Sequence, residues 1–470
     1  MENSLFDSYL KKFGRYPDPI DTEELILGNF PQGYRTTSTL KSVPNQSLFI
    51  DVTHTVHYTF NSGIQRVVRT LVTAMKNNGA SFELIKFDLD GQPILLTPHE
   101  VDKFYNWDKH IHSASTARLN ALDSAARTIG PIIRGLVPDS VWNFAKKFYF
   151  RFKARLSAQS GVLASSTSTE VLDLRNKKLL LPEVVTETER INAVTVLSKY
   201  YNVSVSTVLY DLIPVTHPEY CTVGYDFVHY LRIFRSIDKV FSISKHSENE
   251  LNRIMHIVPR EVKSPLKLET IYLGGDFDFV KNAPVVPVSD KKTILMVARF
   301  EPRKNIRRVL VAIKRLFEES QEFKFVLVGN PGWLQENILA DLDMLKSKGY
   351  DIEYHMRIPD ADLIVWYQKA HFTVFCSITE GFGLPIIESV LMGKPCITTN
   401  NGSQAEVGNL IGGCDLVDPF DTDDIYNKIK RMLTDEGHYQ AKVLQTKSAK
   451  WPSWADYARQ VQTSLDSKSI

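Results

Sequence analysis

Residues 372–407 read FTVFCSITEGFGLPIIESVLMGKPCITTNNGSQAEV. The stretch opens on a short apolar run, 372–376, rich in β-branched and aromatic residues, which predicts a buried strand. A loop follows over 377–383 and contains Glu380-Gly381-Phe382-Gly383. Pro385 suits the first turn of a helix, where a fixed φ and a missing N–H do no harm. Gly393 punctuates the helix end, and 395–399 predicts the next strand. The unit is strand, loop, helix, strand, with two glycines at the helix entrance. Glycines there let the backbone approach a ligand, and a helix N-terminus offers unpaired N–H groups to an anion. Glu380 stands in the loop and Glu388 in the first turns of the helix, with seven residues between them. A carboxylate so placed also serves as a simple dipole partner.

At 470 residues the chain is too long for one compact core, which predicts two domains. A hydrophobic content of 43% and a charged content of 23% fit a globular protein, and a net charge of +2 gives no bulk pull towards nucleic acid. Cys221, Cys376, Cys396 and Cys414 lack metal spacing and read as free, largely buried thiols in a reducing compartment. No window reaches the roughly 18 apolar residues of a membrane span, and the N-terminus lacks a signal-peptide core.

Residues 1–46 carry four prolines and read as a surface leader. Residues 47–52 (SLFIDV) predict a strand, Asn61-Ser62-Gly63 a turn, and 64–75 a helix with apolar residues at a period near 3.6. A strand–glycine turn–helix unit can hold a ligand at the sheet's carboxyl edge, or be an ordinary connection. Strands are also predicted at 82–88, 203–210, 239–244 and 266–273, with Asp211 ending a buried one. Residues 95 to about 180 are less regular. Within them, 141–156 (VWNFAKKFYFRFKARL) hold Trp142, Lys146, Lys147, Arg151, Lys153 and Arg155 among aromatics, with no acid. That pattern suits a helix in an anionic membrane interface, or one packed on a sheet with a solvated basic face.

The polar, proline-bearing segment 278–292 predicts a domain boundary. Residues 293–298 (TILMVA) predict a strand covered on both faces, followed by Arg299-Phe300-Glu301-Pro302-Arg303-Lys304-Asn305 and a helix over 306–318. Cations at a strand end ahead of a helix N-terminus make an anion site, or a solvated basic loop. Strands follow at 323–329 and 351–357, then Ile358-Pro359-Asp360, helices over 424–433 and a tail helix to 464.

The whole resembles family-4 retaining glycosyltransferases of the GT-B fold. The family signature E-G-F-G-L-P-x-x-E stands intact from Glu380 to Glu388, and S-x-x-E-V stands at Ser403–Val407. Likeness is strong over 293–433, moderate over 48–75 and 203–275, and absent over 95–180. It implies an α/β chain of two Rossmann-like domains with parallel sheets facing a central cleft: 1–285 for the acceptor, 286–445 for the nucleotide sugar, and 446–470 as a helix crossing back.

The resemblance also implies roles. Arg299 and Lys304 match the pair that holds the donor diphosphate, Glu380 with Gly381, Phe382, Gly383 and Leu384 the donor sugar, and Glu388 the ribose. Arg357 and Pro359 fall in the loop that contacts the base. Gly63 and Arg66 match a cleft-facing turn. Family members often carry a histidine before the aspartate of H-D-L-I-P; here Tyr210 stands before Asp211, which is expected to orient sugar or acceptor hydroxyls. Tyr210, Arg66, Ser244 and Lys245 are the acceptor-side candidates.

The implied activity is transfer of a hexose from a nucleotide sugar to an oligosaccharide or lipid-linked acceptor in cell-surface polysaccharide synthesis, with retention of configuration. Fixed cations and a helix N-terminus would stabilise the departing phosphate without a metal. No metal-ligand cluster is read, and Asp276 and Asp278 are read as surface acids. E-G-F-G-L-P with D-L-I-P leans towards GDP-mannose. The expected location is the cytoplasm, at the inner face of the membrane. A GT-B epimerase and a non-catalytic scaffold are the alternatives.

Overall fold

The computed structural model describes residues 2–26, 38–57, 63–107, 170–221, 225–262, 265–276 and 291–467. In the N-terminal half the strands are β1 (Thr39–Lys41), β2 (Leu48–Asp51), β3 (Glu83–Phe87), β4 (Pro93–Leu95), β5 (Glu170–Leu172), β6 (Lys178–Leu181), β7 (Ser204–Leu209), β8 (Lys239–Ser242) and β9 (Lys267–Thr270). β1 and β5 pair by themselves, and the other seven form one sheet in the order β4-β3-β2-β6-β7-β8-β9. Only β4 runs antiparallel to its neighbour. In the C-terminal half β10 (Thr293–Val297), β11 (Lys324–Gly329), β12 (Ile352–Met356), β13 (Phe372–Phe375), β14 (Cys396–Thr399) and β15 (Cys414–Val417) form an all-parallel sheet. Its order is β12-β11-β10-β13-β14-β15. The central strands β2 and β13 are buried end to end because helices cover both faces.

The predicted helices are present as Gly63–Asn77, Ile306–Glu318, Leu384–Leu391, Thr422–Thr434 and Trp454–Asp466. In the first of these Val67, Val68, Leu71, Val72 and Met75 are buried, as their spacing requires.

Two expectations need correction, and one element was not foreseen. The leader is no surface arm: the Glu2–Phe13 helix buries Phe6, Tyr9, Leu10 and Phe13 in the core of the first half. The irregular stretch conceals β6, a central strand of the first sheet, whose run of three leucines between Lys178 and Pro182 is too short to stand out. The segment after β2 begins with a short helix, Thr53–His57. Two buried carboxylates hold it: Asp51 accepts from the Thr53 N–H at 3.0 Å, and Glu183 from the N–H groups of His54 and Thr55 at 2.8 and 2.6 Å. Arg190, also buried, donates to Asp51 at 2.7 Å and Glu183 at 3.1 Å.

The chain's last helix crosses back to the first half. Its Tyr457, Ala458, Val461 and Leu465 share an apolar cluster with Val67, Leu71 and Met75. Trp451 donates its indole N–H to the Leu273 carbonyl at 2.8 Å, and Asp276 accepts from the Trp454 N–H. A Cβ on Gly274 would lie 2.4 Å from the Trp454 nitrogen, so only glycine admits this contact.

No helix among the described residues is long and apolar enough to cross a membrane. The basic aromatic segment 141–156, with Trp142, Lys146, Lys147, Arg151, Lys153 and Arg155, lies outside the described residues, as do Asp278 and most of the predicted domain boundary.

Candidate functional site

The loop after β13 leaves the second sheet's carboxyl edge and meets the end of β7 from the first. Contact is at backbone distance: a Cβ on Gly381 would lie 2.4 Å from the Tyr210 carbonyl oxygen and 3.0 Å from the Asp211 Cβ. The two sheets thus present their carboxyl edges to one cleft, where ligands of open α/β sheets bind.

Glu380 sits on this loop with its side chain 10% exposed. Its Oε1 pairs with the Lys304 ammonium, and its Oε2 accepts from an Arg303 Nη at 2.7 Å. The same Arg303 nitrogen donates to the Thr379 carbonyl at 2.8 Å, and its other terminal nitrogen to Glu301 at 2.9 Å. Lys304 closes a 3₁₀ turn, Pro302–Lys304, that continues into the helix Ile306–Glu318. Asn305 joins them at φ +60°, a left-handed conformation asparagine tolerates.

Burial alone would lift the Glu380 carboxyl. Arg303 and Lys304 more than offset it and bring it down to about 2. Burial pushes the Lys304 ammonium down, and Arg303 beside it adds to that push, while Glu380 holds it up. Two cations thus share one carboxylate, and Glu380 is the ionised anchor. Asp211, across the cleft, is raised by burial, with Arg303 pulling it back and Glu380 lifting it further. One of its oxygens accepts from the Ile213 N–H at 3.0 Å.

Glu388 occupies a second, nearly buried position on the Leu384–Leu391 helix. The Tyr367 hydroxyl donates to it at 2.8 Å, and Arg66, from the first turn of the Gly63–Asn77 helix in the other half, comes within 3.5 Å. Burial raises its carboxyl, and Arg66 and Tyr367 oppose that. Gly63 is exposed at that helix start, open on its Cα face.

Arg299 is not brought to Glu380. It is 58% exposed, with its Nε donating to the Pro331 carbonyl at 3.0 Å. Arg303, which the sequence reading passed over, is the arginine against Glu380. Its signal was position: one residue before Lys304, on the inner side of the turn.

Packing sets the places of the other candidate residues. The Tyr210 hydroxyl points into the first half and donates to the Pro182 carbonyl at 2.8 Å. Ser244 is buried as the N-cap of the Lys245–Met255 helix, accepting from the Ser247 N–H. Lys245 is exposed and pairs with Glu248. Phe382 is buried against Tyr272 and Trp451, an apolar joint between the halves. Gly383, at φ +119°, turns the chain into the Leu384–Leu391 helix, a conformation that favours glycine. Leu384 is half-buried as that helix's first residue. Arg357 and Pro359 are exposed beyond β12, Arg357 at φ +58° with its N–H bonded to the Gly329 carbonyl at 3.1 Å. Among the described residues no group of three or more His, Cys, Asp or Glu could hold a metal ion.

The two carboxyl edges, the helix entrance and the paired charges on the loop together line one cleft. Residues 280–450 match the family model of glycosyl transferases group 1. The chain is 31% identical over 245 residues to O-antigen chain mannosyltransferase B of Escherichia coli, covering 49% of this chain and 61% of that protein. It is 25% identical over 233 residues to the serotype-specific mannosyltransferase WbdA of E. coli, covering 46% of this chain and 28% of that one. Less than two thirds of each relative's length is therefore spanned. Among solved structures, sucrose-phosphate synthase from Thermosynechococcus elongatus aligns at a TM-score of 0.57 with 16% identity, over 89% of this chain and 98% of that one. Anabaena Alr3699/HepE in complex with UDP-glucose aligns at 0.56 with 13% identity, over 90% and 99%. These group 1 and GT-B likenesses agree on architecture: the chain has the GT-B fold.

Proposed function

We propose that this protein is a retaining glycosyltransferase of the family-4 type. It moves a hexose, mannose by the company of its relatives, from a nucleotide diphosphate sugar to an oligosaccharide or lipid-linked acceptor in polysaccharide synthesis. The observation that carries this is the Arg303–Glu380–Lys304 cluster, set on the second half of the cleft and facing Asp211 from the first.

Breaking the bond between the anomeric carbon and the β-phosphate oxygen leaves negative charge on that phosphate. Lys304 is fixed by Glu380 before any ligand arrives, so its charge needs no reorganisation when the bond breaks. Arg299, exposed just ahead of the turn that carries Lys304, is the second cation in this reading. The helix beginning at Leu384 directs its unpaired N–H groups to the same anion. Glu380, kept ionised, accepts hydroxyls of the donor sugar, and Glu388 those of the ribose, since a carboxylate takes two hydroxyl bonds at once. Asp211 orients the acceptor hydroxyl. Substitution on the face the phosphate leaves from, with that phosphate taking the acceptor proton, retains configuration and asks for no enzyme nucleophile.

The reading is tested by incubating the protein with labelled GDP-mannose, UDP-hexoses and dTDP-hexoses and a mannan oligosaccharide, then assigning the product anomer by NMR. An α-linked product from an α-donor is expected. Release of free sugar only, or an inverted product, contradicts it.

A further inference from the structure

The helix Gly402–Ile411 touches both halves of the molecule, and does so with different residues. Its first turn holds the donor loop: the Ser403 hydroxyl donates to the Glu380 carbonyl at 2.6 Å, and the Gln404 amide to the Ser377 carbonyl at 2.7 Å. Both residues are buried. Two residues further on, Glu406 leaves its own half. One carboxylate oxygen accepts from the Lys245 N–H at 2.7 Å and from the Tyr272 hydroxyl at 2.8 Å, and the other from the His246 N–H at 2.9 Å. Lys245 and His246 open the helix Lys245–Met255 in the N-terminal half, where the first N–H groups have no intrahelical partner and the positive helix end favours a carboxylate.

We propose that Glu406 is a positioning residue that clasps the two halves and, through the helix it rides on, sets the Glu380 loop against Asp211. The inference rests on the transferase reading for its consequence in catalysis, though not for the clasp itself. Three charge-assisted hydrogen bonds to one carboxylate, all from the opposite half, form a cross-cleft attachment about twice as strong per bond as neutral pairs. Two rigid links connect it to the site, since Ser403 and Gln404 grip residues 377–380 from the same helix. The loop leaves no slack to absorb an opening: Gly381 already lies on the Tyr210 backbone. Tyr272 remains a donor throughout the physiological range, burial and then the Glu406 bond pushing its hydroxyl up to about 12. The phenol also packs near Phe382 and Trp451, so the clasp sits beside the apolar joint.

The test uses the full chain as wild type, Glu406→Ala, Glu406→Gln and Tyr272→Phe. Small-angle scattering measures the radius of gyration without ligand, and initial rates separate kcat from the donor KM. Glu406→Ala is expected to enlarge the particle and lower kcat by about tenfold or more, leaving the donor KM within about threefold, because alignment and not donor affinity is lost. Glu406→Gln keeps one accepting oxygen and should recover part of both effects. Tyr272→Phe removes one bond of three and should show a smaller expansion, a result that stands even if Glu406→Ala fails to fold. An unchanged radius in the variants overturns the clasp, whether or not kcat falls. A wild type that transfers no sugar, while its Glu406→Ala variant expands, leaves the clasp standing and removes only the transferase reading.

Discussion

Glu380 stands between two cations in a nearly dry position, and its depressed pKa makes stability depend on acid. Its folded pKa lies below the ordinary 4.5, so the stabilisation is fully present above 4.5 and is lost as pH falls from there towards about 2. Such a shift is worth on the order of 3 kcal/mol. Denaturant melts across that window should therefore show wild type losing its advantage over Glu380→Gln as pH falls; parallel curves would show that the pair is not ionised as described. At this scale the sequence was partly legible. The spacing of Glu380 and Glu388 marks the loop and helix that carry them. That Arg303 reaches Glu380 depends on the 3₁₀ turn Pro302–Lys304, a matter of a few dihedral angles that composition cannot report. The inward turn of Tyr210 likewise depends on a partner, the Pro182 carbonyl, that lies 28 residues away in the chain.

At the scale of elements, glycine placement and buried charge set the cleft's walls. Gly381→Ala would drive a Cβ into the Tyr210 carbonyl, and backbone on both sides leaves little room to yield. Overpacking of that kind costs about 1–3 kcal/mol, and the displaced loop should lower kcat more than it lowers thermal stability; an unaffected rate would mean that the loop does not meet the acceptor half. The Thr53–His57 helix depends on Arg190 in the same way. Arg190→Ala leaves Asp51 and Glu183 buried without their cation, so a loss of about 3–5 kcal/mol is expected in chemical denaturation. In the second half β10, β11, β13 and β14 announced themselves by short apolar or β-branched runs, whereas β15 (CDLV) did not. Nor did β6, because three leucines between a lysine pair and Pro182 carry neither strand alternation nor length.

The molecule as a whole is tied together by its own tail. Trp454, Tyr457, Val461 and Leu465 are buried in the first half, each contributing about 1.5–3 kcal/mol. A chain ending at residue 449 is expected to melt at a markedly lower temperature, with the N-terminal half unfolding first by hydrogen exchange; equal protection in both halves would show that the tail is dispensable. The sequence disclosed two halves and a returning helix through its likeness to a known fold. It did not disclose that the first helix of the chain belongs to the core, since Pro17, Pro19, Pro31 and Pro44 made the region look like an exposed arm. The central claim is that Lys304, held by Glu380 in the cleft, bears the charge of the departing phosphate. Its most direct test is the rate of labelled sugar transfer by Lys304→Ala, a variant that keeps Glu380 paired with Arg303 and so keeps the fold. A fall of about a hundredfold or more in kcat/KM, with the melting temperature within a few degrees of wild type, is the predicted result, and transfer at a near-normal rate would contradict it.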